Sequence, residues 1–160
     1  MTTLKKKPWN RVDQPVYSMA SAAGGRVNMN ICSYVTPVSM KPKRYVVAIY
    51  KNTLTLELVQ QNPEFVLQFL DQKHSNLVNR FGKKSGKKAD KLKRLQKELD
   101  FLGEFPYLKA ALAIVHLKVI QWLDGGDHWC VLCDVVTSKN LNEGTPLTLS
   151  YLKEKKIILS

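Results

Sequence analysis

The stretch RVNMNICSYVTPVS, residues 26–39, carries two amides and several hydroxyls at a spacing that suits ligand recognition. Read as a strand, it places Val27, Met29 and Ile31 on one face and Asn28, Asn30 and Cys32 on the other. Asparagine is depleted from strands, so two on one face, directly before Ser33, Thr36 and Ser39, look like hydrogen-bonding groups offered to a partner. A second group, Lys51, Asn52, Thr53 and Thr55, lies between an apolar strand and the start of a helix. Free backbone amides and the helix dipole favour an anion there. An N-capped loop with a solvated lysine also explains that second group by itself. Taken together, the two groups suit a ligand with a phosphate at one end.

Other reactive side chains form no constellation. Cys130 and Cys133 make a C-x-x-C, but HWCVLCDVV reads as a strand, where residues three apart point to opposite faces. A zinc site would need further ligands from Cys32, His74, His116 or His128, so no metal is expected and the two cysteines are read as buried strand residues. His128, in GGDH, either lies beside a ligand as a candidate catalytic group or forms a local staple with Asp127. His74 and His116 receive no role. A dinucleotide-binding fingerprint, a P-loop and a G-x-S-x-G elbow are all absent.

The elements that must position these residues read as mainly β. VYSMASAA and RVNMNICSY form a hairpin around Gly24-Gly25, where a two-residue turn needs positive φ. VTPVSMKPK, with two prolines, reads as a loop, and RYVVAIY as a buried strand. A helix then opens with Thr55 as its cap and Glu57 in its first turn, and ends at Pro63. EFVLQFL is the next strand, and HSNLVNRF a short helix closed by Gly82 at its C′ position. Ala89, Leu92, Leu95 and Leu99 give the basic segment a helical apolar stripe. In residues 111–123, Ala113, Val115, Leu117 and Val119 share a face, and DGGDH turns that strand back into HWCVLCDVV, with Gly125 and Gly126 supplying φ freedom. The tail, TPLTLSYLKEKKIIL, adds a last short strand. About six hairpin-connected strands with short inserted helices favour an antiparallel β-barrel over a doubly wound sheet.

At 160 residues and 44% hydrophobic, the chain suits a single domain, residues 15–160, behind an N-terminal arm, residues 1–14. No apolar run approaches the roughly 20 residues of a membrane span, and MTTLKKKPWN has no apolar stretch after its lysines, so no membrane partner is expected. An odd number of cysteines without an export signal indicates reduced thiols and a cytoplasmic protein. Of the net charge of +12, residues 83–97 contribute +7, with eight basic side chains against Asp90.

The order N-x-N-x-x-S-x-x-T-P-V-S, a buried strand, K-x-x-x-T-x-E-L and, much later, GGDH in a hairpin resembles the flavin reductase-like family of FMN-binding split barrels. FGKKSGKKADK is similar to that family's S-G-x-x-x-D-K segment, with Ser85, Gly86, Asp90 and Lys91 in the matching places. The resemblance runs over residues 15–151 and implies an antiparallel split β-barrel of the FMN-binding type with a few short inserted helices. It implies that Asn28, Asn30 and Ser33 face the ribityl-phosphate side of FMN, with Cys32 beside them. The backbone of Val35, Thr36, Pro37, Val38 and Ser39 would follow the isoalloxazine edge, and Lys51, Thr53 and Thr55 would hold the phosphate. FMN would sit between the subunits of a homodimer. The chain departs from the family at Lys41-Pro42-Lys43, where Asp-Pro-Pro is usual, at Asn30 and Cys32, where Thr or Ser is common, and at Cys133, where small residues are usual.

The function implied is an NAD(P)H-dependent flavin reductase, with NADH or NADPH passing hydride to the flavin; no acid or base is required of the protein, in keeping with the lack of a catalytic constellation. The alternative is an FMN-binding electron carrier that serves a redox protein partner. Nucleic-acid binding through residues 83–97 is a third reading, disfavoured because no aromatic side chains are interleaved with those lysines.

Overall fold

A computed structural model describes residues 5–83 and 92–159. Two tight-turned strands open the domain, β1 (Tyr17–Ala23) and β2 (Arg26–Cys32), followed by β3 (Val35–Met40), β4 (Lys43–Tyr50) and helix α1 (Leu54–Gln61). After β5 (Glu64–Phe69) come a 3-10 helix, Gln72–Leu77, a π-helical turn, Asn79–Lys83, and a second 3-10 helix, Lys93–Glu98. The chain continues through β6 (Leu99–Leu102), β7 (Phe105–Leu108), β8 (Ala113–Asp124) and β9 (His128–Asn140), and α2 (Leu149–Glu154) follows.

Seven strands form one antiparallel sheet in the order β2-β1-β5-β8-β9-β4-β3, while β6 and β7 pair separately. The two edge strands, β2 and β3, are consecutive in the chain and joined only through Ser33 and Tyr34. A two-residue link cannot span a flat seven-stranded sheet, whose strands lie nearly 5 Å apart. The sheet is therefore rolled into a split barrel, and Tyr34 O accepts the Ala48 N–H (2.9 Å), extending the β3–β4 ladder into the link from β2.

Alternation along the central strands explains why they read as nearly continuous apolar runs: both faces are covered. Met19, Phe65, Leu67, Val115, Leu117 and Val131 pack inside the barrel. Their neighbours Ala20, Val66 and Ile114 face outward, under a second layer made by Phe81, Leu95, Phe105, Leu147 and Leu152. Between β1 and this layer, Gln68 uses both ends of its buried amide, donating to Ser18 Oγ (3.3 Å) and accepting the Leu108 N–H (2.7 Å).

The Gly24-Gly25 turn is as expected, with φ of +56° and +79°. In the β8–β9 turn only Gly126 takes positive φ (+109°); Gly125 is required for space, since a Cβ there would come within 2.9 Å of Cys130 Sγ. Several expectations are corrected. Residues 35–40 form a strand rather than a loop: β3 lies at the sheet edge, and its register slips between Pro37 and Ser39, so the ladder accommodates the missing N–H. The helix cap is Thr53, not Thr55, because Thr53 has extended φ and its Oγ1 accepts the Leu56 N–H (3.2 Å). Gly82 lies within the π-helical turn rather than at a C′ position. The tail makes isolated bridges, Asp71 to Pro146 and Pro15 to Thr148, and then α2, capped by Thr148, in place of a strand. Among the described residues nine strands stand where about six were expected, chiefly because the short β6–β7 pair carries little sequence signal. Of the basic segment, Lys93–Glu98 forms a 3-10 helix with Leu92, Leu95 and Leu99 buried. Ala89, Ser85, Gly86, Asp90 and Lys91 lie outside the described residues.

His74, to which the sequence assigns no role, completes a capping box: Asp71 Oδ1 accepts the Lys73 N–H (2.8 Å) and His74 Nδ1 accepts the Asp71 N–H (3.1 Å). Burial holds the His74 pKa below its ordinary value, against the opposing pull of Asp71. The neutral ring is therefore the folded form, and its stabilisation is complete above about pH 6.5 and lost as pH falls through the depressed value. Urea midpoints are expected to fall across that acidic window in the native protein. In His74→Gln, which keeps an acceptor at the third helical position, this component of the pH dependence should vanish.

Candidate functional site

Where the rolled sheet splits, the end of β2, its link to β3, the end of β4 and the start of β9 enclose a cleft of ≈ 230 Å³. Asn30, Cys32, Ser33, Tyr34, Ala48, Tyr50 and His128 contribute to its lining. Register explains the meeting: Tyr50 pairs directly with His128 across the β4–β9 ladder, and the β3–β4 register, continued one residue, places Tyr34 opposite Ala48. The His128 ring lies 5.1 Å from the centroids of both Tyr34 and Tyr50. Its Nδ1 is 2.7 Å from Asp127 Oδ1. In the neutral ring, Nδ1–H donates to that carboxylate and leaves Nε2 as an acceptor.

Asn30 marks the cleft as polar and incomplete. Its Oδ1 is buried and has no hydrogen-bond partner in the protein. A buried orphan carbonyl costs roughly 1–3 kcal/mol unless something donates to it. A polyhydroxylated chain in the cleft supplies such a donor, so the residues present fit the ribityl group of a flavin.

Asn28 and Thr55 are buried against each other, with Asn28 Nδ2 donating to Thr55 Oγ1 (3.1 Å), and so tie β2 to α1. Thr55→Val keeps the shape and removes the acceptor. It is expected to destabilise the protein by about 1–3 kcal/mol, read as a shift of the urea midpoint.

Beside the cleft, Lys51 Nζ donates to Asp124 Oδ1 (2.7 Å) and sits 5.0 Å from the Trp129 ring centroid. Asp124 Oδ1 also accepts the Gly126 N–H (2.9 Å). The lysine bond, followed by the backbone bond, holds the Asp124 carboxyl below the usual carboxylate range. Thr53 Oγ1 donates to Tyr50 O (2.8 Å) as well as capping α1, which fixes the loop that carries Lys51.

The fold thus gathers Asn30, Cys32, Ser33 and His128 around one cleft, and sets Lys51 and Thr53 on the loop that leaves it. Val35, Thr36, Pro37, Val38 and Ser39 follow on the edge strand, outside the cleft lining, with Thr36, Pro37 and Val38 exposed. Sequence reasoning missed Tyr34, Ala48, Tyr50, Asp124 and Trp129 as members of the site, while the expected Asp127 staple on His128 is present. Tyr34 stood inside the stretch already singled out, and Tyr50 directly before Lys51, but only the β3–β4 and β4–β9 registers unite them.

The cysteines behave as structural thiols. Burial pushes the Cys32 and Cys133 thiols up to about 12, which removes the thiolate that redox chemistry needs. Cys130 and Cys133 are both free; Cys133 is buried as expected, whereas Cys130, on the opposite face of the strand, is only half-buried rather than buried. Among the described residues no group of side chains is suited to hold a metal ion.

Known proteins share this architecture. Flavin reductase PheA2 superposes with a TM-score of 0.74 at 26% identity, covering 88% of this chain and 87% of that one. An FMN-binding protein from Thermus thermophilus superposes at 0.75 with 22% identity over 88% and 80% of the two chains, a likeness of fold. In sequence, the chain is 29% identical over 143 residues to the high molecular weight rubredoxin of Moorella thermoacetica, covering 88% of this chain and 62% of that protein. It is 27% identical over 134 residues to putative diflavin flavoprotein A 3 of a Nostoc species, covering 83% and 23%. The chain therefore spans less than two thirds of the length of either relative. The sequence model of the flavin reductase like domain matches residues 9–156, nearly the whole chain, and the protein belongs to that family.

Proposed function

We propose that the protein is an FMN-binding NAD(P)H:flavin oxidoreductase whose flavin occupies the cleft at the split of the barrel. The observation that carries this reading is the buried, unpartnered Asn30 Oδ1 in a cleft shared with Ser33, Tyr34 and His128. When bound, the flavin supplies the hydride-accepting chemistry. Asn30 and Ser33 would bind its ribityl hydroxyls, with Cys32 in the wall beside them. The backbone of Val35, Thr36, Pro37, Val38 and Ser39 would border its ring. Lys51, Thr53 and the helix start would hold its phosphate, with Asn28 and Thr55 fixing α1 behind them. Asp127 orients the His128 imidazole toward a role beside the nicotinamide, with Tyr34 and Tyr50 flanking that ring.

The size of the cleft supports a homodimer with the flavin at its interface. Small-molecule sites usually enclose about 300–1,000 Å³, more than the ≈ 230 Å³ of this cleft, so a second subunit is assigned the missing wall. Exposed Tyr34, Val38, Met40 and Tyr50 on or beside the edge strand suit that contact. Three free thiols support a cytoplasmic location, and among the described residues no helix is long and apolar enough to cross a membrane.

The test is the visible spectrum of the purified protein, followed by anaerobic NADH and NADPH. Bleaching of bound flavin by either nucleotide is expected. A flavin that neither nucleotide bleaches would overturn the reductase reading in favour of an electron carrier with a redox protein partner. The length of the rubredoxin and diflavin relatives, which carry further segments beyond the matched region, favours that second reading.

A further inference from the structure

Lys51 is the cation assigned to the proposed phosphate, yet its ammonium is already engaged. Asp124 Oδ1 accepts from it at 2.7 Å and the Trp129 ring lies beneath it at 5.0 Å, so the side chain is drawn across the end of the β8–β9 hairpin. The two partners differ in freedom. Asp124 Oδ1 is also fixed by the Gly126 N–H at 2.9 Å, and Trp129 packs edge-on against Trp122 at 6.1 Å. Lys51 has a flexible four-carbon stem and is about one-third exposed. Of the two, the lysine has the longer and more flexible stem with which to turn toward an anion.

We propose that Asp124 is a specificity-determining residue that holds Lys51 in a latch against Trp129, so that a phosphate monoester must compete for the ammonium before it binds. This rests on the reading that the cleft takes a flavin. Asp124 opposes the phosphate twice: it occupies the Lys51 ammonium, and its own fixed negative charge repels a dianion. Both effects act only on the phosphorylated ligand. Asp124 thereby narrows the advantage of FMN over riboflavin, and suits a protein that exchanges its flavin rather than one that retains it. An exposed ion pair shifts an equilibrium by a factor of about five at most, which bounds the effect.

The test compares FMN and riboflavin binding to flavin-free protein, read by quenching of flavin fluorescence, for native protein, Asp124→Asn, Lys51→Gln and the double variant. The amide introduced by Asp124→Asn keeps an oxygen for the Gly126 N–H, and melting curves of each variant check that the hairpin is intact. The expected result has three parts. Asp124→Asn tightens FMN about two- to fivefold and leaves riboflavin unchanged. Lys51→Gln weakens FMN alone. The double variant binds FMN only slightly better than Lys51→Gln, because without the ammonium there is nothing to release and only the repulsion by Asp124 is relieved. Weaker or unchanged FMN binding in Asp124→Asn, or equal shifts for both flavins, would overturn the latch while leaving the flavin cleft standing. Failure of the native protein to bind either flavin would instead remove the cleft reading and the latch with it.

Discussion

Ala48→Trp is expected to weaken flavin binding by at least about 100-fold without unfolding the protein. Ala48 lines the cleft from β4 and is half-buried, so its side chain faces the cleft side of the sheet rather than the barrel interior. Its neighbours across the ladders set the space: Cys130 pairs with it on one side, and Tyr34 O accepts its N–H on the other. An indole placed there fills much of a ≈ 230 Å³ cleft and excludes a planar ligand of similar bulk. The lost contact is most of the ligand's buried surface, since sites of this kind cover some 70–90% of what they bind. Flavin titration measures the affinity and a thermal melt measures the fold. Affinity that survives the substitution would place the flavin elsewhere on the molecule.

Phe65→Ala is expected to cost about 3–5 kcal/mol of stability and to lower the melting temperature by roughly 6–20 °C. Phe65 is fully buried on β5, between β1 and β8, and packs inside the barrel with Met19, Leu67, Leu117 and Val131. Partners on several strands cannot collapse into the void together, because each is held in a hydrogen-bonded ladder, so the cavity term adds to the lost transfer free energy. Phe101→Ala on the β6–β7 pair is the control. That ring is 55% exposed, and its removal is expected to change stability by no more than about 0.5 kcal/mol. Calorimetric melts of the two variants separate barrel packing from the general effect of losing a phenyl ring.

The local elements of this protein were legible wherever a single period or a turn residue decided them. The Gly24-Gly25 hairpin, the alternation of Val115, Leu117 and Val119, and the end of α1 before Pro63 each follow from backbone freedom or burial on one face. Reading failed where two influences competed. Pro37 argued for a loop, but at a sheet edge it costs no ladder bond, and β3 formed around it. Thr53 and Thr55 both suit a cap by type; Thr53 has the extended backbone and caps the Leu56 N–H, while Thr55 lies inside the helix and accepts from Asn28.

The site divides in the same way. Residue types and order by themselves determined that Asn30, Cys32 and Ser33 form a polar set, that Lys51 leads into a capped helix, and that GGDH closes a hairpin. They also carried the family resemblance, because motif order is a property of the chain. Only the tertiary structure decided which of these groups meet. The cleft exists because two residues join opposite edges of a seven-stranded sheet, which forces the roll that sets Asn30 of β2 and Ala48 of β4 on one cleft. The β4–β9 register then brings Tyr50 and His128 together, and the β8–β9 turn delivers Asp124 to Lys51 from 73 positions away. Such long-range pairings depend on register and curvature summed over many strands, and no local window of sequence encodes them.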